Sequence, residues 1–203
     1  MSSVDWKLFG EVFVTLAVIM DPLGTVPLFL GLTAGQSRDA RRRLAWQAVV
    51  VAGLVIATFA LFGQQILDYL GITLPALQGA GGLLLVLVAL ELLRGGAGDP
   101  AQVPDVSVAL VPLGTPLLAG PGAIAATIVF VRQARGVRDA IAIGLGLVAV
   151  HVVLWLALRY AGGVLRVVRE SVIHLLTRIF GLLLSAIAVQ LLADSVRAFV
   201  RAG

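Results

Sequence analysis

The chain has 203 residues, 60% of them hydrophobic and 13% charged, with a mean hydropathy of +1.04. That composition excludes a water-soluble domain of ordinary make-up, and the absence of cysteine excludes disulfides, thiolate metal sites and thiol nucleophiles. The net charge of +4 comes from arginines in short segments between apolar runs. This is a pattern of membrane topology signals rather than of a phosphate-binding face, so no nucleic acid partner is expected.

Six apolar runs follow one another, at about 8–32, 44–66, 74–93, 106–131, 140–158 and 175–192. Each is near the 20 residues or so that a hydrocarbon core of roughly 30 Å requires. The connections are too short for a soluble domain, so an all-α integral membrane protein is expected, nearly all of it embedded. The first run lacks the basic leader and small-residue cleavage site of a secretory signal, and it is expected to remain in the mature protein.

Within the first run stands Asp21-Pro22-Leu23-Gly24-Thr25-Val26-Pro27. A carboxylate, two prolines and a glycine are costly at bilayer depth unless the freed backbone lines a cavity or is satisfied by neighbours. Asp followed by Pro also suits a helix restart, with Asp21 capping and Pro22 in the first helical position. A restarted helix presents unpaired N–H groups and a partial positive charge, suited to a carboxylate. An ionised Asp21 would instead take an ammonium, a proton or Na⁺.

The third run ends with Glu91 three residues before Arg94, spaced for an ion pair on one helix face. The fourth is interrupted by Pro112, Gly114, Thr115 and Pro116, and again by Gly120-Pro121-Gly122. Here the main chain itself would meet a ligand, since glycines permit close approach and proline breaks the helix. The hydroxyls of Thr25, Thr115 and Thr127 are either ligand groups or bonded to their own helix's i−4 carbonyl. His151, central in the fifth run, suits a proton relay or an interhelical hydrogen bond. Gln190 and Asp194 read as interfacial polar residues, and Gly81, Gly82, Gly144 and Gly146 as sites of close helix packing.

The two halves repeat. A shift of 99 residues lays Gly82–Leu93 on Gly181–Leu192 with seven of twelve positions identical, and lays Pro22 on Pro121. A shift of 100 lays Arg38-Asp39-Ala40 on Arg138-Asp139-Ala140. Three spans per repeat is an odd number, so two three-helix repeats, 8–93 and 106–192, are expected to face opposite ways across the membrane. Matched Gly/Pro-interrupted segments in such a plan are the best sequence pointer to a binding site. The side with the loops after spans one, three and five carries nine of the 15 Arg and Lys residues and the other side six. This bias favours both termini outside.

Asp21–Phe29 and Pro116–Ile124 resemble the two signature stretches of the MarC family of six-span integral membrane proteins, and Gly81-Gly82-Leu83-Leu84-Leu85 resembles its third-span pattern. Thr25 departs from that pattern, which often has Asn. The resemblance implies a cell-membrane transporter or exporter of small neutral amino acids such as alanine and glycine. The substrate site it suggests comprises Asp21, Pro22, Gly24, Thr25, Pro27, Thr115, Pro116, Gly120, Pro121 and Gly122. Coupling to H⁺ or Na⁺ is expected, as no phosphate-binding loop for ATP is present, and no cofactor is called for. A transporter of another small solute, or a non-transporting membrane interaction protein, is the alternative. An enzyme is not expected, because one deep carboxylate and one deep histidine in different halves make no catalytic pair. Glycine-rich helix faces are compatible with a homo-oligomer.

Overall fold

The computed structural model describes residues 4–33, 35–94, 118–163 and 170–202. Among these are seven helices and no strand. They are α1 (Trp6–Met20), α2 (Thr25–Leu32), α3 (Arg38–Leu70), α4 (Leu74–Arg94), α5 (Pro121–Gln133), α6 (Val137–Arg159) and α7 (Glu170–Ala202). Thr115, Pro116 and the rest of the fourth run before residue 118 lie outside the described residues, and so do the side chains of Glu91 and Arg94, on which the expected ion pair rests. The helices α3, α6 and α7 are each long and apolar enough to cross a membrane, and α1 with α2 adds a fourth crossing if the bent pair is one span.

The helix ends follow local chemistry. Asp5 opens α1, its carboxylate accepting from Lys7 N and Leu8 N at 3.0 Å. Ser37 opens α3 by accepting from Ala40 N at 3.2 Å. That helix closes at Gly71, whose φ of 66° lets Ile72 N reach Leu67 O at 2.9 Å. At 33 residues, α3 is about 50 Å long. The helices overrun the apolar runs at 44–66 and 175–192 because a helix continues until it is capped, not until polarity changes.

Apolar side chains point outward along the long helices: Leu61 is 69% exposed, Leu54 and Leu182 63%, Val148 62%. Such a surface is stable against lipid and not against water. With lipid outside, helices associate through close packing rather than through the hydrophobic effect. Glycines mark the contacts. A Cβ on Gly146 of α6 would lie 2.7 Å from Val12 of α1, and one on Gly63 of α3 would lie 2.7 Å from Ile128 of α5. On α4, Gly81 faces Ala125 of α5 at the same distance. Gly144 differs from the expectation of close packing: its Cβ would meet nothing within 4 Å.

The pairing of α4 with α7 is antiparallel. Ser195 Oγ donates to Pro75 O at 2.8 Å at one end. Further along, Gly82 faces Ala188 O and Leu192, and Gly181 faces Ala89 O, Leu92 and Leu93. Buried Leu85, Ala89, Leu184 and Ala188 fill the seam between them, together with Val18 of α1. A Cβ on Gly82 would sit 2.9 Å from the Ala188 carbonyl oxygen, which is backbone, whereas one on Gly181 would approach nothing closer than 3.1 Å. Gly82→Ala is therefore expected to destabilise the protein by about 1–3 kcal/mol, as overpacking does, and Gly181→Ala by less. Thermal unfolding in detergent should rank them in that order.

Candidate functional site

Between α1 and α2 the axis bends by 46°. Asp21 is the pivot, C-cap of α1 with φ 38° and ψ 71°, and the one non-glycine residue with positive φ among the described residues. Aspartate tolerates that region because its short side chain bonds locally. Its Oδ1 accepts from Gly24 N at 2.9 Å, and its carbonyl accepts from Thr25 N at 3.0 Å and Thr25 Oγ1 at 2.6 Å. Asp21 thus closes α1, and the expected restart at Pro22 is corrected: buried Pro22 and half-buried Leu23 form a turn, and α2 begins at Thr25 with Gly24 as its N-cap. Pro27 lies in the first turn of α2, where a missing N–H leaves no bond unmade.

Asp21 is only 6% exposed. Its second oxygen, Oδ2, is buried and finds no hydrogen-bond partner among the described residues. Gly24 stands directly against it: a Cβ at that position would overlap the carboxylate. A buried unpaired carboxylate is unfavourable by several kcal/mol unless it is neutralised or takes a cation.

The second break differs in kind. Gly120 is the N-cap of α5 in an extended conformation, with no side chain bonded to the helix start and Pro121 in the first turn. Gly122 and Ala123 therefore carry the first backbone donors of α5, and Gly120 has no side chain to cap them. Gly122 is buried, and a Cβ there would overlap the Leu85 side chain of α4. Met20, Val26 and Phe29 around the first break and Leu118, Ala119 and Ala123 around the second belong to one buried cluster. The two breaks thus border one buried apolar cluster; one carries a carboxylate, and at the other the N-cap has no side chain.

The hydroxyls behave locally. Thr127 Oγ1 donates to Ala123 O at 2.7 Å and Thr33 Oγ1 to Phe29 O at 2.7 Å, each to the i−4 carbonyl, as Thr25 does to Asp21 across the break. His151 corrects the expectation of an interhelical bond. Its Nδ1 lies 2.7 Å from Leu147 O on the same helix, and Nε2 is buried near Gly53 without a partner among the described residues. A carbonyl can only accept, so Nδ1 carries the proton. Gln190 Nε2 donates to both oxygens of Asp194 at 3.0 Å, and Asp194 lies 3.7 Å from Arg197. This is an exposed set near the end of α7.

A feature the sequence did not point to is a cavity of about 560 Å³ between α3 and α6. Trp46, Gly53, Leu61, Gly144, His151 and Trp155 are among the residues that wall it. Asp21 is not among them.

Compared with known proteins, the chain matches the model of the MarC family of integral membrane proteins over residues 6–200. It is 35% identical over 201 residues to a UPF0056 membrane protein of Methanocaldococcus jannaschii, covering 96% of this chain and 98% of the relative. A UPF0056 membrane protein of Archaeoglobus fulgidus is 34% identical over 195 residues, covering 93% and 92%. The UPF0056 membrane protein YhcE of Escherichia coli is 28% identical over 201 residues, covering 95% and 94%. No solved structure matches the chain.

Proposed function

Because the chain belongs to the MarC family of integral membrane proteins, we propose that it is a secondary transporter or exporter of small neutral amino acids of the alanine or glycine kind, coupled to H⁺ or Na⁺. The observation that carries this reading is the buried Oδ2 of Asp21, without a partner among the described residues, at a break whose apolar neighbours share a buried cluster with those beside the start of α5, where Gly120 offers no capping side chain. A zwitterion needs both features. Its carboxylate is suited to the Gly122 and Ala123 N–H groups at the positive end of a helix, and its ammonium, or the coupling cation, to Asp21 Oδ2. Burial of both groups keeps water from competing for them.

The scaffold we propose is six spans in two inverted three-helix repeats, with the broken helices near the midplane of a cell membrane and both termini outside. Two features support it. Equivalent helices α4 and α7 run antiparallel, as inversion requires. Their contacts are also reciprocal under the 99-residue shift: Gly82 meets Ala188 and Leu192 while Gly181 meets Ala89 and Leu93. Alternating access in such a plan is the rocking of one repeat against the other around the site.

The test is uptake of labelled alanine or glycine into liposomes holding the purified protein. Saturable flux that follows an imposed H⁺ or Na⁺ gradient supports the reading. Flux of another small solute, with none of these amino acids, favours a different substrate on the same scaffold.

A further inference from the structure

We propose that the cavity between α3 and α6 is a binding site for one acyl chain of an anionic phospholipid, whose headgroup meets Arg159. The helices pass the cavity in opposite directions. Trp46 and Trp155 pack edge to face at 6.2 Å at one end, Gly53 meets His151 midway, and Leu61 and Ala140 lie towards the other. From Trp46 to Leu61 the groove runs about 22 Å along the helix. That exceeds the depth of one leaflet, about half of the roughly 30 Å core.

The wall chemistry selects the occupant. The described residues around the cavity are aliphatic or aromatic apart from His151, and His151 Nε2 and Trp155 Nε1 are buried under protein atoms, which leaves the Trp46 indole N–H at the tryptophan end as the other side-chain nitrogen on the wall. A zwitterionic amino acid would lose its water here and gain at most that one N–H as a partner, whereas a hydrocarbon chain loses nothing. Gly53 and Gly144 leave the room, and a Cβ on Gly144 would enter open space.

Charge sets the headgroup. The Arg159 guanidinium lies over the Trp155 ring at 5.0 Å and near Tyr160 at 5.9 Å, at the end where both tryptophans stand. Aromatic rings with a cation mark the headgroup level of a bilayer. Exposed Arg42 and Arg43 precede Trp46 on α3 at the same end. Basic pockets between spanning helices suit anionic headgroups.

The experiment is native mass spectrometry of the full chain released from nanodiscs of equal phosphatidylglycerol and phosphatidylcholine. It is run on the parent protein, Arg159→Gln and Gly144→Phe, with thermal unfolding to confirm that each variant folds. Tryptophan quenching by phospholipid brominated on its chain is read alongside, since Trp46 and Trp155 line the groove. The parent should retain one phosphatidylglycerol in preference to phosphatidylcholine. Arg159→Gln should weaken that preference about fivefold, the effect of one arginine at an anionic surface. Gly144→Phe, which fills the groove without touching the core, should abolish retention and reduce quenching. Equal retention of both lipids, or retention undiminished by Gly144→Phe, overturns the proposal. A dimer that forms without bound lipid and is broken by Gly144→Phe overturns it in favour of a second copy as the occupant.

Discussion

Asp21→Asn should leave the protein folded and reduce amino acid flux in liposomes at least about 30-fold, the equivalent of the 2 kcal/mol or more that follows removal of one member of a buried charged pair. The substitution separates the two tasks of this residue. Asparagine can keep the bond from Gly24 N through its carbonyl oxygen, and it accepts the left-handed backbone that Asp21 occupies at φ 38°. What it removes is the ionisable oxygen, Oδ2, that no group among the described residues satisfies. Thermal unfolding of Asp21→Asn should match that of the parent. Asp21→Ala loses both tasks: absence of the cap costs about 0.5–2 kcal/mol, and alanine at this backbone angle adds roughly 1–2 kcal/mol. Its unfolding midpoint should therefore fall clearly. Undiminished flux in Asp21→Asn would reduce this residue to a helix junction and remove the main support for the proposed site.

The second large effect is expected at the other break. Gly122→Ala places a methyl group on the Leu85 side chain, which is 3% exposed and held in the α4–α7 seam. Leucine so enclosed has nowhere to rotate, and we expect a loss of about 1–3 kcal/mol from overpacking. Leu85→Ala alone should lose about 2–5 kcal/mol through the cavity it leaves. Because the two changes act on the same space, the double variant should be more stable than the sum of the single effects allows, by about 0.5–3 kcal/mol of coupling. Unfolding measured on all four proteins closes the cycle, and simple additivity would show that Gly122 and Leu85 do not touch. The proposed transport role adds that Gly122→Ala should reduce flux beyond what its stability explains, because relief of the overlap with Leu85 displaces the first donors of α5.

Membrane residence was legible in the sequence because a bilayer imposes length and polarity on each span, and both can be counted along the chain. The breaks were legible for a similar reason. Proline and glycine act on their own backbone, so Asp21-Pro22-Leu23-Gly24 and Gly120-Pro121-Gly122 announce an interruption wherever they stand. The local hydroxyl bonds of Thr25 and Thr127 also follow from an i−4 geometry that needs no tertiary partner.

Other features depended on which surfaces meet. That Oδ1 of Asp21 is satisfied and Oδ2 is not depends on how Gly24 and the helices around it enclose the carboxylate. Gly144 and Gly146 are two residues apart and read alike, yet Gly146 packs on Val12 and Gly144 opens into a cavity, because positions two apart on a helix point about 200° apart. His151 satisfied one nitrogen on its own helix, since the facing position on α3 is glycine and offers no side-chain partner. The cavity itself is a mismatch between two helix faces, and neither face carries a mark of it alone. What a residue does to its own backbone is therefore set within its own segment. What it leaves unpaired, or leaves empty, is set by neighbours up to about a hundred residues away in the chain, and only the packed structure decides it.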